Sequence, residues 1–230
     1  MHNNPIVIAV DGWSSCGKST MAKQLSKELH YLFVDSGAMY RAITLYFLQH
    51  QLPVDNPEIV LEALRNIHLA FHLNPETMLN EIYLNGKNVE SEIRALSIAE
   101  KVSDVAAISA IRSFAVQQQQ EMGLKKGIVM DGRDIGTTVF PHAQLKVFMT
   151  AHPMIRAQRR FKEMLEKGEE SSLEEVMANL NMRDYEDTHR SESPLSKADD
   201  AIVLDNSFLT PDEQLAFVKQ KLVDLKLLTS

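Results

Sequence analysis

The stretch IAVDGWSSCGKSTMAKQL, residues 8–25, runs from an apolar segment through Gly12, four further residues and Gly17-Lys18-Ser19 into a helical pattern. Gly12-Trp13-Ser14-Ser15-Cys16-Gly17-Lys18-Ser19 matches G-x-x-x-x-G-K-[ST], a loop whose glycines let main-chain N–H groups turn inward around phosphate oxygens. The following helix aims its positive N-terminal end at the same point. Residues 12–20, from Gly12 to Thr20, are therefore expected to hold the phosphates of a nucleotide. Lys18 reaches the β and γ phosphates, and the Ser19 hydroxyl ligates magnesium. With an apolar strand before the loop and an amphipathic pattern over 21–29 after it, an accidental glycine-rich turn is the weaker account. Two positions stay open. Trp13 either covers an edge of the nucleotide or packs on the sheet. Cys16 is either an activated thiol near a helix N-terminus or a small tolerated residue.

Working outward, five short apolar runs stand at 6–10, 31–34, 127–130, 145–149 and 201–204, separated by segments of helical spacing. Continuous apolar runs alternating with helices predict buried parallel strands, hence an α/β fold with a five-stranded parallel sheet and helices on both faces. Four runs end on or just before Asp11, Asp35, Asp131 and Asp205, and ligands of such sheets sit at the carboxyl ends of the strands. Asp205 is better read as a turn former.

Residues 66–90 change period. Ile67, Leu69, Phe71 and Leu73 alternate with His68, Ala70 and His72, and Asn85-Gly86 suits a type I′ hairpin turn. A small antiparallel insert is expected. His68 and His72 share a face with no third ligand near in sequence, so a solvated face is expected there. One helix is predicted from 91 to 122, and two more over 153–167 and 173–190. Between these two, KGEESSLEE (167–175) offers Gly168 as a stop, a hinge, and a capping box from Ser171 with Glu174 or Ser172 with Glu175. Thr210, Pro211 and Glu213 open the last helix.

With 230 residues, 44% hydrophobic and 24% charged, the chain fits one globular domain carrying an insert. A net charge of −7 argues against a coat for nucleic acid or an anionic membrane, so any phosphate site must be locally basic. The single cysteine excludes an internal disulfide framework and a cysteine-based zinc site. The first apolar run is too short for a membrane span, and a cytoplasmic monomer is expected.

A phosphate loop alone does not separate a kinase from an ATPase or a switch. No Asn-Lys-x-Asp element for guanine appears. The run GIVMD places Asp131 as a carboxylate able to hold magnesium, and Arg133 and Asp134 follow on the same sheet edge, where a plain surface ion pair is the alternative. In MIRAQRRF, Arg156, Arg159 and Arg160 are spaced i, i+3 and i+4, putting three guanidinium groups on one helix face. They either meet a transferring phosphoryl group or form an exposed basic face balanced by Glu163 and Glu166. In VDSGAMYRA, Ser36 and Gly37 turn at the sheet edge and Tyr40 and Arg41 lie one helical turn later. Hydroxyl, ring and cation together suit an acceptor carrying a ring and a phosphate.

DGWSSCGKST, DSGAMYRA, YLNGKNVESEIR, DGRDIGTTVFP, RAQRR and RDYEDTHRSESPL occur in this order over nearly the whole chain. Together they resemble the bacterial cytidylate kinases. The resemblance implies a P-loop kinase core at 1–40, 123–152 and 191–230, a monophosphate-binding insert at about 41–122 and a helical lid at about 153–190. It implies ATP with Mg2+ as donor system and CMP or dCMP as acceptor. By matching position, Arg41, Arg133 and Arg190 hold the acceptor phosphate, Asp187 the sugar hydroxyls, and Ser36, Ser103, Arg112 and Asp134 the cytosine. The chain departs from the pattern at Trp13, where members generally carry proline, and at Glu186, where some carry a basic residue. Kinases of this size for UMP, dTMP or shikimate, or a non-transferring nucleotide switch, are the competing readings.

Overall fold

The computed structural model describes residues 4–166, 168 and 170–228. Its centre is β1 (Val7–Gly12), buried along its whole length. Val7 and Ala9 face one apolar cluster while Ile8 and Val10 face another, which is why the run reads as continuously apolar rather than alternating. α1 (Lys18–Leu29) leads to β2 (Leu32–Asp35) and α2 (Ser36–Gln49). The chain then builds α3 (Pro57–Arg65) and the insert strands β3 (Leu69–Asn74), β4 (Leu79–Leu84) and β5 (Lys87–Asn88). After a short 3-10 turn at Glu92–Arg94 come α4 (Leu96–Ala106) and α5 (Ser109–Gly123).

The core resumes with β6 (Ile128–Gly132) and β7 (Leu145–Thr150). It passes through α6 (Pro153–Glu166) and α7 (Leu173–His189) and closes with β8 (Ile202–Asp205) and α8 (Pro211–Asp224). The large sheet has the order β2-β6-β1-β7-β8 with every pair parallel. All five predicted strands form. Their register aligns Asp35 with Asp131, Asp11 with Gly132 and Gly12 with Met149, so the polar strand ends converge on one edge.

Helices α1 and α8 cover one face through Met21, Leu25, Val218 and Leu222. Helices α2 and α5 cover the other through Met39, Ile43, Ile111 and Ala115. The α6–α7 pair has its own small core of Ala157, Val176 and Leu180. Phe161, Met164, Leu173 and Met177 pack around it, and burying a Val or Leu side chain contributes about 1.5–3 kcal/mol.

The insert is antiparallel in the order β3-β4-β5. Asn85 (φ 50°) and Gly86 (φ 80°) both occupy the left-handed region that a type I′ turn demands. His68 and His72 are exposed, and His72 packs edge-on against Tyr83 at 4.6 Å. Among the described residues no three His, Cys, Asp or Glu side chains gather as a metal site, and no helix is long and apolar enough to cross a membrane.

The helix predicted over 91–122 is corrected by the structure: it is broken into the 3-10 turn, α4 and α5. Ile108 adopts an extended backbone (φ −74°, ψ 121°). The break frees the Ala106 carbonyl, which accepts from Arg112 Nη2 at 3.1 Å, and it turns Ser103 and Arg112 toward the same cleft. The capping box uses Ser172 with Glu175. Gly168 has φ 74°, as a helix stop requires, whereas Lys167 and Glu169 of the same segment lie outside the described residues. Thr210, Pro211 and Glu213 cap the last helix as expected. Asp205 accepts from Ser207 N at 2.9 Å, the turn former it was read as.

Candidate active site

The loop between β1 and α1 begins where only glycine fits. Gly12 has φ 146°, and a Cβ there would come within 2.0 Å of the Met149 carbonyl oxygen. Lys18 is buried and its Nζ donates to the Trp13 carbonyl at 2.6 Å. Burial, followed by the charge of Arg133, draws its pKa down from the usual lysine range. Ser14, Ser15, Gly17, Ser19 and Thr20 line a cleft of about 910 Å³ at the carboxyl edge of the sheet. Cys16 instead is buried in the core. Trp13 packs against that core, with the Arg156 guanidinium 5.8 Å over its ring.

Ser19 Oγ donates to Asp131 Oδ2 at 2.5 Å, while the buried Asp131 Oδ1 has no hydrogen-bond partner. Burial, with the neighbouring Asp35 charge behind it, pushes Asp131 up to about 7. A hydroxyl beside a desolvated carboxylate with a spare oxygen is a donor set that fits a hard divalent cation.

At the end of the adjoining strand, Asp35 caps α2 by accepting from Ala38 N at 2.9 Å and pairs with Arg41 at 2.9 Å. Burial opposes its ionisation, but the charges of Arg41 and Arg94 outweigh it and hold Asp35 below the usual carboxylate range. Arg133 donates to Asp187 at 2.6 Å and to Ser14 Oγ at 2.7 Å, so it bridges the phosphate loop and α7. Asp134 is buried between Arg112 at 3.2 Å and Arg190 at 3.4 Å. Arg112 lies 5.3 Å over the Tyr40 ring, and burial pushes the Tyr40 phenol up to about 12, which keeps it protonated. Arg41 Nε is buried without a hydrogen-bond partner, and Arg190 Nη2 has only its 3.4 Å ion-pair contact with Asp134. Unfilled cationic donors on one wall are what an anionic ligand completes. Ser36, Gly37 and Ser103 complete that wall.

The three arginines of α6 do not act as one face. Arg159 donates to Asn206 Oδ1 at 3.1 Å and to the Asn206 carbonyl at 2.7 Å, and Arg160 pairs with Glu163 at 3.1 Å; both line the cleft. Arg156 is buried, pairs with Asp184 at 2.6 Å and donates to the Ser14 carbonyl at 3.2 Å. It ties α6 and α7 to the phosphate loop.

Sequence reasoning missed three residues. Arg94 reaches Asp35 at 3.6 Å from the 3-10 turn. Arg183 lines the cleft from α7, and its spacing i, i+4, i+7 with Asp187 and Arg190 was a readable signal. Asn206 is buried and donates to the Cys16 carbonyl at 2.6 Å and to Gln214 at 3.0 Å, which no local pattern announces.

A parallel sheet in this strand order, a glycine-rich phosphate loop at its switch point and arginines lining the same cleft define a P-loop kinase, a phosphotransferase. Comparison with known proteins narrows this further. The family model described as cytidylate kinase matches residues 8–223, and the chain belongs to that family. It is 54% identical to the cytidylate kinase of Bacteroides thetaiotaomicron over 94% of this chain and 96% of that protein. It is 55% identical to the cytidylate kinase of Flavobacterium psychrophilum over 93% and 96% respectively. Among solved structures, an uncharacterized protein from Eubacterium ventriosum matches with a TM-score of 0.50 at 13% identity, covering 96% of this chain and 99% of that one; this shows the fold alone.

Proposed function

We propose that this chain phosphorylates CMP and dCMP to the diphosphates with ATP as donor, by direct in-line transfer, and that it does so as a cytoplasmic monomer. The observation that supports the reading is a single cleft at the carboxyl edge of the sheet, lined both by the phosphate loop and by a group of arginines. Lys18 with Ser14, Ser15, Gly17, Ser19 and Thr20 would receive the donor phosphates, and Arg41, Arg133 and Arg190 the acceptor phosphate.

The acceptor's single phosphate sits among these three arginines, and Asp187 takes the sugar hydroxyls. Ser36, Ser103, Arg112 and Asp134 read the base. The 4-amino group of cytosine is a donor and matches carboxylate and hydroxyl oxygens, while O2 and N3 are acceptors and match guanidinium. Uracil presents a carbonyl at position 4, which meets the buried Asp134 carboxylate acceptor to acceptor and gains no hydrogen bond from it, a penalty of about 1–3 kcal/mol.

Ser19 and Asp131 would hold Mg2+, which supplies charge neutralisation on the β and γ phosphates when bound. The insert at about 41–122 carries the acceptor wall, and the lid at about 153–190 closes over the donor. Closure excludes water and brings Arg159 and Arg160 onto the γ-phosphoryl group. Arg156 contributes from beneath, by fixing the lid to the loop. The acceptor phosphate is largely ionised at neutral pH, its second pKa being about 6, so no general base is needed.

A coupled ADP-release assay with CMP, dCMP, UMP, dTMP and shikimate tests the assignment. Fast release with CMP and dCMP supports it. Release without any acceptor, or a preference for another acceptor, overturns it.

A further inference from the structure

We propose that Asp11 is the positioning residue that fixes the base-reading loop against the phosphate loop; this deepens, and rests on, the reading of the cleft as a CMP site. Asp11 is the residue before Gly12 and is buried. Its two carboxylate oxygens accept from Ile135 N at 2.8 Å and Gly136 N at 2.7 Å, across more than half the chain. Both oxygens are thus committed to main chain rather than left for a ligand.

The bonded segment directly follows Arg133 and Asp134. Asp134 (φ −140°, ψ 24°) lies between the end of β6 and the wide turn at Ile135–Val139. Its direction therefore depends on where Ile135 and Gly136 are pinned. The turn closes back on it, with Thr138 N donating to the Asp134 carbonyl at 2.8 Å. The approach is close: a Cβ on Gly136 would come 3.1 Å from Asp11 Oδ2 and 3.1 Å from the Lys146 side chain. One carboxylate at the root of the donor cradle therefore anchors the loop that carries an acceptor-phosphate cation and the base-reading acid. It sets the spacing of the two pockets that in-line transfer requires.

The test is steady-state kinetics of Asp11→Asn, with Asp11→Ser as a second variant that keeps an acceptor oxygen. In Asp11→Asn one acceptor oxygen becomes an amide donor facing an N–H. The expected result is a rise in KM for CMP of about tenfold, the equivalent of one net hydrogen bond. CMP-over-UMP selectivity should fall in step, while KM for ATP changes less than about twofold. Because Asp11 acts through Asp134, combining Asp11→Asn with Asp134→Asn should give the selectivity of Asp134→Asn alone rather than the product of the two losses.

Equal rises in both KM values, unchanged selectivity, or multiplicative losses would overturn the proposal. So would failure of both single variants to fold, since the clamp would then serve the fold and not the acceptor loop. The two readings are separable: an unaltered chain without CMP-dependent ADP release refutes the assigned reaction, whereas intact CMP turnover with insensitive Asp11 variants refutes the clamp alone.

Discussion

Asp134→Asn tests the selectivity argument most directly. The side chain is buried between Arg112 Nη1 at 3.2 Å and Arg190 Nη2 at 3.4 Å, so the substitution keeps shape and one acceptor oxygen but removes the negative charge from between two cations. Leaving buried charges without their partner costs about 3–5 kcal/mol when the partner is deleted outright. The isosteric amide retains one hydrogen bond, so about 1–2 kcal/mol of stability loss is expected. The effect on specificity runs separately. Asn presents an N–H that can donate to the O4 of UMP, and it no longer offers two oxygens to the cytosine amino group. Losing a discrimination of about 1–3 kcal/mol lowers the CMP-to-UMP ratio of kcat/KM by roughly 5- to 150-fold. The assay is coupled ADP release with each nucleotide, accompanied by a thermal melt. A folded Asp134→Asn variant whose CMP-to-UMP ratio stays within about twofold of the unaltered protein would rule out Asp134 as the base reader and move base reading elsewhere.

Lys18→Ala removes the cation that meets the β and γ phosphates, and turnover should fall by about 100-fold or more; a variant retaining most of its kcat contradicts the assignment. Mg2+ should raise the melting temperature of the ATP-bound protein, and Asp131→Asn should abolish that rise along with turnover; a persisting Mg2+ shift would place the ion on other ligands. Asp11 gives a pH signature: burial, against the pull of the Gly136 and Ile135 N–H groups, raises it from 3.8 to about 6. The fold then holds a proton that the unfolded chain has released between about pH 4 and 6, so this group's contribution to stability falls as pH rises through that window. At 1.36 kcal/mol per pH unit the change approaches about 3 kcal/mol. Denaturant melts should show Asp11→Asn gaining stability relative to the unaltered protein between pH 4.5 and 7.5, and a flat difference would refute the shift.

Much of this protein is written in local signals. The five strands announce themselves because β strands buried on both faces need unbroken apolar runs, as Val7 to Val10 show. The phosphate loop does so because Gly12 cannot carry a Cβ against β7. The Asn85-Gly86 turn and the Ser172 and Thr210 caps likewise follow from backbone chemistry within a few residues. The side-chain directions of the site do not. Arg156, Arg159 and Arg160 share one helix face by spacing, yet each goes to a different partner. Arg156 turns under the phosphate loop to Asp184, 28 residues on, and Arg159 turns to Asn206, 47 residues on. The break at Ile108 is equally invisible in an amphipathic pattern, because what compensates it is the Arg112 guanidinium on the freed Ala106 carbonyl. Periodicity records which positions are buried, whereas the aim of a long, flexible cation is decided by whichever carboxylate or carbonyl the packed fold brings within reach.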